Sequence, residues 1–200
     1  MRHSGRFADD VLADGTEKCY EIGGTIMPFS LVPDRLFEDY AAVTPALLGE
    51  LGVTLLLSDL DFTLAEKSTR HPDQALKDYI AALRAAGIGF MIVSNNRSGR
   101  RVTEFCAELD VPYQGGAGKP SPRGIYAAIR RGGGTAGHTA MLGDKLLTDC
   151  LAAKRAGVLA LTVEPVGGAV TPWQKVLHAL QAPFKAICRR KVWKNAEKNA

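Results

Sequence analysis

The sequence predicts an α/β protein, a doubly wound and mainly parallel sheet covered by helices on both faces. Three observations predict it. Short β-compatible apolar runs alternate with amphipathic helical stretches through the middle of the chain, the pattern of repeated βαβ units. The runs are apolar at consecutive positions, as strands buried on both faces require. Finally, 200 residues with 46% hydrophobic and 23% charged side chains suit one globular core.

Taken in order, the first 26 residues show no periodicity and end near the Gly23-Gly24 turn signal, so they read as a flexible lead-in, with Met27 a plausible alternative start. Pro33-Asp34 opens a short helical stretch through Leu36, Phe37 and Tyr40. Thr44-Pro45 reads as an N-cap with proline at the first helical position, and Gly52 as the stop. Val53 to Ser58 is the first buried strand. Leu76, Tyr79, Ile80 and Leu83 then recur at helical spacing over Asp73 to Ala86, ended by Gly87. Ile88 to Ser94 is a second strand, and Ser98 caps a helix with Val102, Phe105, Cys106 and Leu109 on its inner face. An extended piece at Val111-Pro112-Tyr113 follows, then a helix around Ile125 to Arg131 closed by Gly132-Gly133-Gly134. His138 to Leu142 is a strand, Leu147 to Ala156 a helix and Val158 to Val163 the last strand.

Composition removes several function classes. The apolar runs are far shorter than the roughly 20 residues that span a bilayer, and the charged N-terminus lacks a secretory signal's apolar core, so a cytoplasmic location is expected. Cys19, Cys106, Cys150 and Cys188 are widely spaced, which favours reduced structural thiols over a zinc site. No Walker or dinucleotide motif is present, and the glycines before Lys119 read as a tight loop. His71 and His138 lack catalytic partners in sequence and read as structural. From Trp173 onward seven Lys or Arg stand against one Glu, so the tail carries +6 of a net +4 and the rest of the chain −2.

In open α/β sheets, ligands collect at the carboxyl ends of the strands. Polar residues gather there: Asp59 and Asp61 after the first of the central strands, Ser94 and Asn95 after the second, Lys119 in the loop after the third, Asp144 after the fourth. Asp59 and Asp61 are two apart on an extended segment, so both side chains leave on one side. Their mutual repulsion is relieved by a divalent cation, and magnesium suits carboxylate oxygens and retained waters. Gly143 lets the backbone pass close to the site. A phosphate monoester brings about two negative charges, which Lys119 and the metal can stabilise while Ser94 and backbone N–H groups position the phosphoryl oxygens.

These residues resemble, in order, the four motifs of the haloacid dehalogenase (HAD) superfamily of phosphatases: Asp59-x-Asp61-x-Thr63, Ser94, Lys119, and Gly143-Asp144-x-x-x-Thr148-Asp149. Within it the chain resembles the YqeG-like group, which includes mitochondrial phosphatidylglycerophosphate phosphatases, through Ser94-Asn95-Asn96 with Arg101-Val102 and Phe105, Lys119-Pro120, and Gly143 to Asp149. The resemblance covers roughly Phe29 to Pro165. It implies that Asp59 attacks phosphorus and binds Mg2+, that Asp61 serves as acid and base and lends its carbonyl to the metal, and that Asp144 completes the metal site. It further implies that Ser94 and Asn95 hold the phosphoryl group, that Lys119 neutralises it, and that Thr63 and Asp149 support. Two residues depart from the group: Phe62 stands for its usual Asn and Lys145 for its common Gln.

The intervals Asp61 to Ser94 and Asn96 to Lys119 leave no room for the cap domain that HAD phosphatases often insert there. An open site favours bulky or surface-bound substrates, a phospholipid headgroup among them. Residues 27–172 read as the phosphatase domain and 173–200 as a basic amphipathic segment, broken in two by Pro183. That segment either packs on the sheet or touches an anionic membrane peripherally; nucleic acid is not expected as a partner. The expected activity is Mg-dependent hydrolysis of phosphatidylglycerophosphate. The alternatives are a soluble phosphorylated metabolite as substrate, or a non-catalytic phosphate-binding regulator.

Overall fold

The structure, a computed structural model, describes residues 30–96, 100–168 and 172–198. The expected lead-in, the alternative start at Met27 and the Ser98 cap lie outside the described residues, as do the side chains of Trp173 and Trp193. The strands are β1 (Arg35–Phe37), β2 (Leu55–Ser58), β3 (Gly89–Val93), β4 (Tyr113–Gln114), β5 (Thr139–Gly143) and β6 (Leu159–Val163). The helices are α1 (Pro45–Glu50), α2 (Gln74–Ala85), α3 (Arg100–Glu108), α4 (Arg123–Arg131), α5 (Leu151–Ala156) and α6 (Pro172–Lys198). One sheet holds all six strands in the order β1-β6-β5-β2-β3-β4, every pair parallel.

The continuous apolar runs work as predicted, because their alternate residues feed two different cores. Leu56, Phe90, Ile92, Ala140, Leu142, Leu161 and Val163 join α1, α2 and α3 on one face. Leu55, Leu57, Met91, Val93, Met141 and Ala160 join α4 and α5 on the other. A fully buried Leu contributes about 1.5–3 kcal/mol to such a core. All four predicted contact residues of α2 are buried, and its N-cap Asp73 accepts from the Leu76 N–H at 2.8 Å. Thr44 likewise caps α1 through the Leu47 N–H. Cys106, Cys150 and Cys188 are buried, in keeping with structural thiols.

Two expectations are corrected. The residues after Pro33-Asp34 are not helical: Arg35–Phe37 is an edge strand against β6, and only Tyr40–Ala42 makes a 3₁₀ turn. Asp34 decides the matter, since its N–H donates to the Ala160 carbonyl and its carboxylate accepts from the Ala160 N–H, each at 2.8 Å. Nor does Pro183 break the tail, because α6 runs through it. Pro183 is exposed, and buried Gln181 and Lys185 hold the helix on either side.

Among the described residues, one helix joins β2 to β3 and one joins β3 to β4, with no further domain inserted. From β2 the chain winds outward to β3 and β4, then returns to β5 on the other side of β2. In open α/β sheets such a change of direction is where ligands bind, here at the carboxyl ends of β2 and β5. No described helix is long and apolar enough to cross a membrane.

Candidate active site

Asp59 follows β2 directly, and its main-chain N–H donates to the Leu142 carbonyl of β5 at 2.9 Å, so the ladder fixes where the side chain leaves. Residues 60–65 then turn back on themselves. Thr63, Leu64 and Ala65 all donate to the Leu60 carbonyl, and Phe62 takes a positive φ of 71° to make the turn. Thr63 is thereby buried beneath the site, where its hydroxyl donates to Asp144 Oδ1 at 3.1 Å.

Lys119 arrives from the loop after β4. Its ammonium donates to Asp59 Oδ1 and to the Val93 carbonyl, both at 2.8 Å. It also lies 2.7 Å from Asp149 Oδ1, outside hydrogen-bond geometry, so that contact is ionic. Asn95 holds the loop that delivers it: Asn95 Oδ1 accepts from the Lys119 N–H at 2.7 Å and Asn95 Nδ2 donates to the Lys119 carbonyl at 2.8 Å. Ser94 is buried beside it, its hydroxyl accepting from the Asn96 N–H.

Asp144 and Asp149 follow β5. Leu146–Cys150 forms a π-helical turn before α5, and Lys145 N–H donates to Asp149 Oδ2 at 3.2 Å. Gly143 is required here, because a Cβ on it would meet the Asp149 Cβ at 2.3 Å. The turn is held from outside as well, by Gln181 of α6, whose Oε1 accepts from the Leu146 N–H at 2.6 Å.

Asp59, Asp144 and Asp149 each present a carboxylate oxygen, and these lie within 4.8 Å of one another. All three residues are buried. Burial pushes the Asp59 carboxyl up to about 6, against the pull of Lys119, and raises Asp144 as well, against that of Lys145. Burial works against the Lys119 charge too, but Asp149 and Asp59 outweigh it and hold the ammonium above its ordinary range. The cluster is thus short of positive charge, and its donors are all hard oxygens. Both properties fit a divalent cation.

Asp59, Thr63, Ser94, Lys119, Asp144 and Asp149 therefore meet in one buried cluster. Asp61 stands at its edge: the side chain is ion-paired with Arg101 Nη2, while its carbonyl lies 3.4 Å from Lys145 Nζ. The side chain of Asn95 is spent on the Lys119 main chain. Neither Arg101 nor Lys145 was assigned a catalytic, phosphate-binding or metal-binding role from sequence. Arg101 also donates to the Thr69 carbonyl at 2.7 Å, and Lys145 Nζ lies 2.8 and 2.9 Å from the two Asp144 oxygens. Their signal in the sequence was present but weak: a basic residue at the start of the helix after Ser94-Asn95, and one directly after the Asp144 carboxylate. His71 pairs with Glu108 on the surface and His138 with the Gly52 carbonyl, away from the cluster.

The family model for haloacid dehalogenase-like hydrolases matches residues 9–157. A protein of Bacillus subtilis (strain 168) named Probable phosphatase YqeG is 33% identical over 135 residues, 68% of this chain and 78% of that one. Among solved structures, the cobalt-bound deoxy-D-mannose-octulosonate 8-phosphate phosphatase YrbI of Haemophilus influenzae is 21% identical, with a TM-score of 0.46 over 64% of this chain and 75% of that one. An uncharacterized protein from Listeria monocytogenes serotype 4b is 11% identical, with a TM-score of 0.48 over 60% and 83%. By the family match over most of its length and the identity with the Bacillus protein, the chain belongs to the haloacid dehalogenase-like hydrolases, as one of their YqeG-like phosphatases.

Proposed function

We propose that the chain is a magnesium-dependent phosphomonoesterase that works through an aspartyl-phosphate on Asp59, and that its substrate is phosphatidylglycerophosphate. The observation that carries this reading is the setting of Asp59, a buried carboxylate at the end of the central strand with one oxygen held by Lys119. Asp59, the Asp61 carbonyl and Asp144 would hold magnesium, with Asp149 behind them, and the bound ion would supply positive charge against the carboxylates and the phosphoryl oxygens.

Asp59 attacks phosphorus, and the bond to the leaving alkoxide breaks as the alkoxide takes a proton from Asp61. Asp61 then takes a proton from the water that attacks the aspartyl-phosphate at phosphorus, which frees phosphate and restores Asp59. Lys119 balances charge on the transferring group, and the Ser94 hydroxyl with the Asn95 main-chain N–H orients it. The Asn95 amide keeps Lys119 in place, and Thr63 fixes Asp144. Arg101 occupies Asp61 Oδ1, so it must leave before that carboxyl group can face the leaving oxygen. A substrate phosphate is the natural group to draw it away.

Support for a lipid substrate comes from the lack of an inserted domain among the described residues and from α6. That helix exposes Val176, Leu180 and Ile187 and carries Arg189 and Arg190, also exposed, an apolar and basic combination suited to an anionic lipid surface. The test is phosphate release, with and without Mg2+, from phosphatidylglycerophosphate in mixed micelles and from a panel of soluble phosphomonoesters. A clear preference for the lipid supports the assignment; preference for a small soluble ester overturns it and leaves the phosphomonoesterase reading standing.

A further inference from the structure

Lys145 Nζ touches both oxygens of Asp144, at 2.8 and 2.9 Å, and stands 3.4 Å from the Asp61 carbonyl. Asp59 and Asp149 also act on it through space. These are the oxygens that a divalent cation at this site has to share. The same ammonium lies 5.4 Å from the centroid of the Phe62 ring, within reach of a cation–π contact, and the Lys145 side chain is one-third exposed, with 32% of its surface open to solvent. A four-carbon stem lets the charged end move by several ångströms while the backbone stays fixed, because the Lys145 N–H remains tied to Asp149.

We infer that Lys145 is a tethered competitor of the divalent cation: its ammonium and the metal claim the same oxygens of Asp144 and Asp61, and Phe62 provides the seat to which the ammonium moves when the metal takes them. The inference rests on the reading of Asp59, the Asp61 carbonyl and Asp144 as the metal site, with Asp149 behind them. It follows from charge balance. Three buried carboxylates face two ammoniums, so the cluster is one positive charge short; a divalent cation added with Lys145 still on Asp144 places two cations on one carboxylate. Moving the ammonium to Phe62 removes that repulsion and leaves a positive charge at the edge of the cluster, where a phosphoryl anion enters.

Such a competitor lowers metal affinity, since part of the binding energy is spent on displacing it. The experiment is isothermal titration of the full chain with MgCl2 at fixed pH and ionic strength, on wild type, Lys145→Gln, Lys145→Met and Lys145→Arg. The two neutral variants are expected to bind Mg2+ at least about tenfold more tightly, and the charged Arg variant not to gain. Thermal melts provide a readout independent of activity: in chelator Lys145→Gln melts below wild type, and Mg2+ raises its Tm by more. Phe62→Leu weakens Mg2+ binding about threefold in the wild-type background and leaves it unchanged in the Lys145→Gln background, since an ammonium displaced from Asp144 relies on the ring more than one that Asp144 holds.

Equal Mg2+ affinity in wild type and both neutral variants overturns the competition, as does an Arg variant that tightens like Gln. No saturable binding in any of the four proteins overturns the metal-site reading itself, and the competition with it.

Discussion

Two lysines are buried among the described residues, and their surroundings are opposite in balance. Lys119 is 5% exposed and meets Asp59 and Asp149, with Asp144 beside them; Lys185 of α6 is 2% exposed and meets Glu164 alone, at 2.6 Å. At the first cluster carboxylates outnumber ammoniums. At the second a single carboxylate is shared by Lys185, His178 at 3.0 Å and Arg189 at 3.3 Å. The carboxyl groups respond accordingly. Burial wins at Asp59 and Asp144 and raises them, whereas at Glu164 burial is outweighed by Lys185 and His178, and the group is lowered. A buried lysine among carboxylates thus makes a cluster that awaits further positive charge, and a buried lysine sharing one carboxylate with other basic groups makes a cluster that is already complete. The first is placed for chemistry and the second fastens a helix.

The sharpest way to break that comparison is to neutralise one acid in each cluster. Asp59→Asn is expected to lower phosphate release by at least about 10³-fold, while its Tm in chelator stays level or rises, because an anion that burial disfavours has been removed. Phosphate assay and calorimetry on the same preparation read both effects. Glu164→Gln should do the reverse: it strips Lys185 of its counter-charge and costs about 2 kcal/mol in urea unfolding, with kcat within about twofold of wild type.

A smaller effect is expected at the link between the two regions. Gln181→Ala leaves the buried Leu146 N–H without its acceptor, at a cost of about 1 kcal/mol. An activity loss larger than Glu164→Gln produces would show that the turn bearing Asp149 depends on this bond. The smallest effect concerns pH. The folded value of Glu164 lies below its ordinary 4.5, so the stability it contributes is complete above that pH and is lost as pH falls through the folded value. The Tm gap between wild type and Glu164→Gln should therefore close as melts are taken from pH 6 down toward pH 3.5. Asp59 has the opposite sign. Its cost is absent below its ordinary 3.8 and complete above about 6, so this carboxylate does not produce the same acid loss.

Much of the fold was legible because each central strand carries its own signal. Leu55 to Leu57 read as buried on both faces, and they are divided between the two cores. β1 was not legible: Leu36, Phe37 and Tyr40 suit one helical face, and the deciding partner, Ala160, lies 126 residues away. Pro183 was misread because local helix rules ignore anchors such as Lys185 on the following turn. At the site, position was legible and direction was not. Strand ends told where Asp59, Ser94, Lys119 and Asp144 would gather. They could not tell that Asp61 would turn to Arg101, that Lys145 would fold back onto Asp144, or that both ends of the Asn95 amide would be taken by a main chain 24 residues on. Those outcomes depend on the reach of long or bifunctional side chains across loops.

The hydrogen bond from Leu146 to Gln181 also sets an order of completion during synthesis. A chain growing from its N-terminus has all three site carboxylates in hand once Asp149 has emerged, yet the turn that aims Asp149 obtains this acceptor only after residue 181 has left the ribosome. Glu164 likewise gains Lys185 and Arg189 only with α6. The nascent phosphatase therefore carries its reactive groups before it carries the last contacts that hold them, and the finished helix is the step that sets the site.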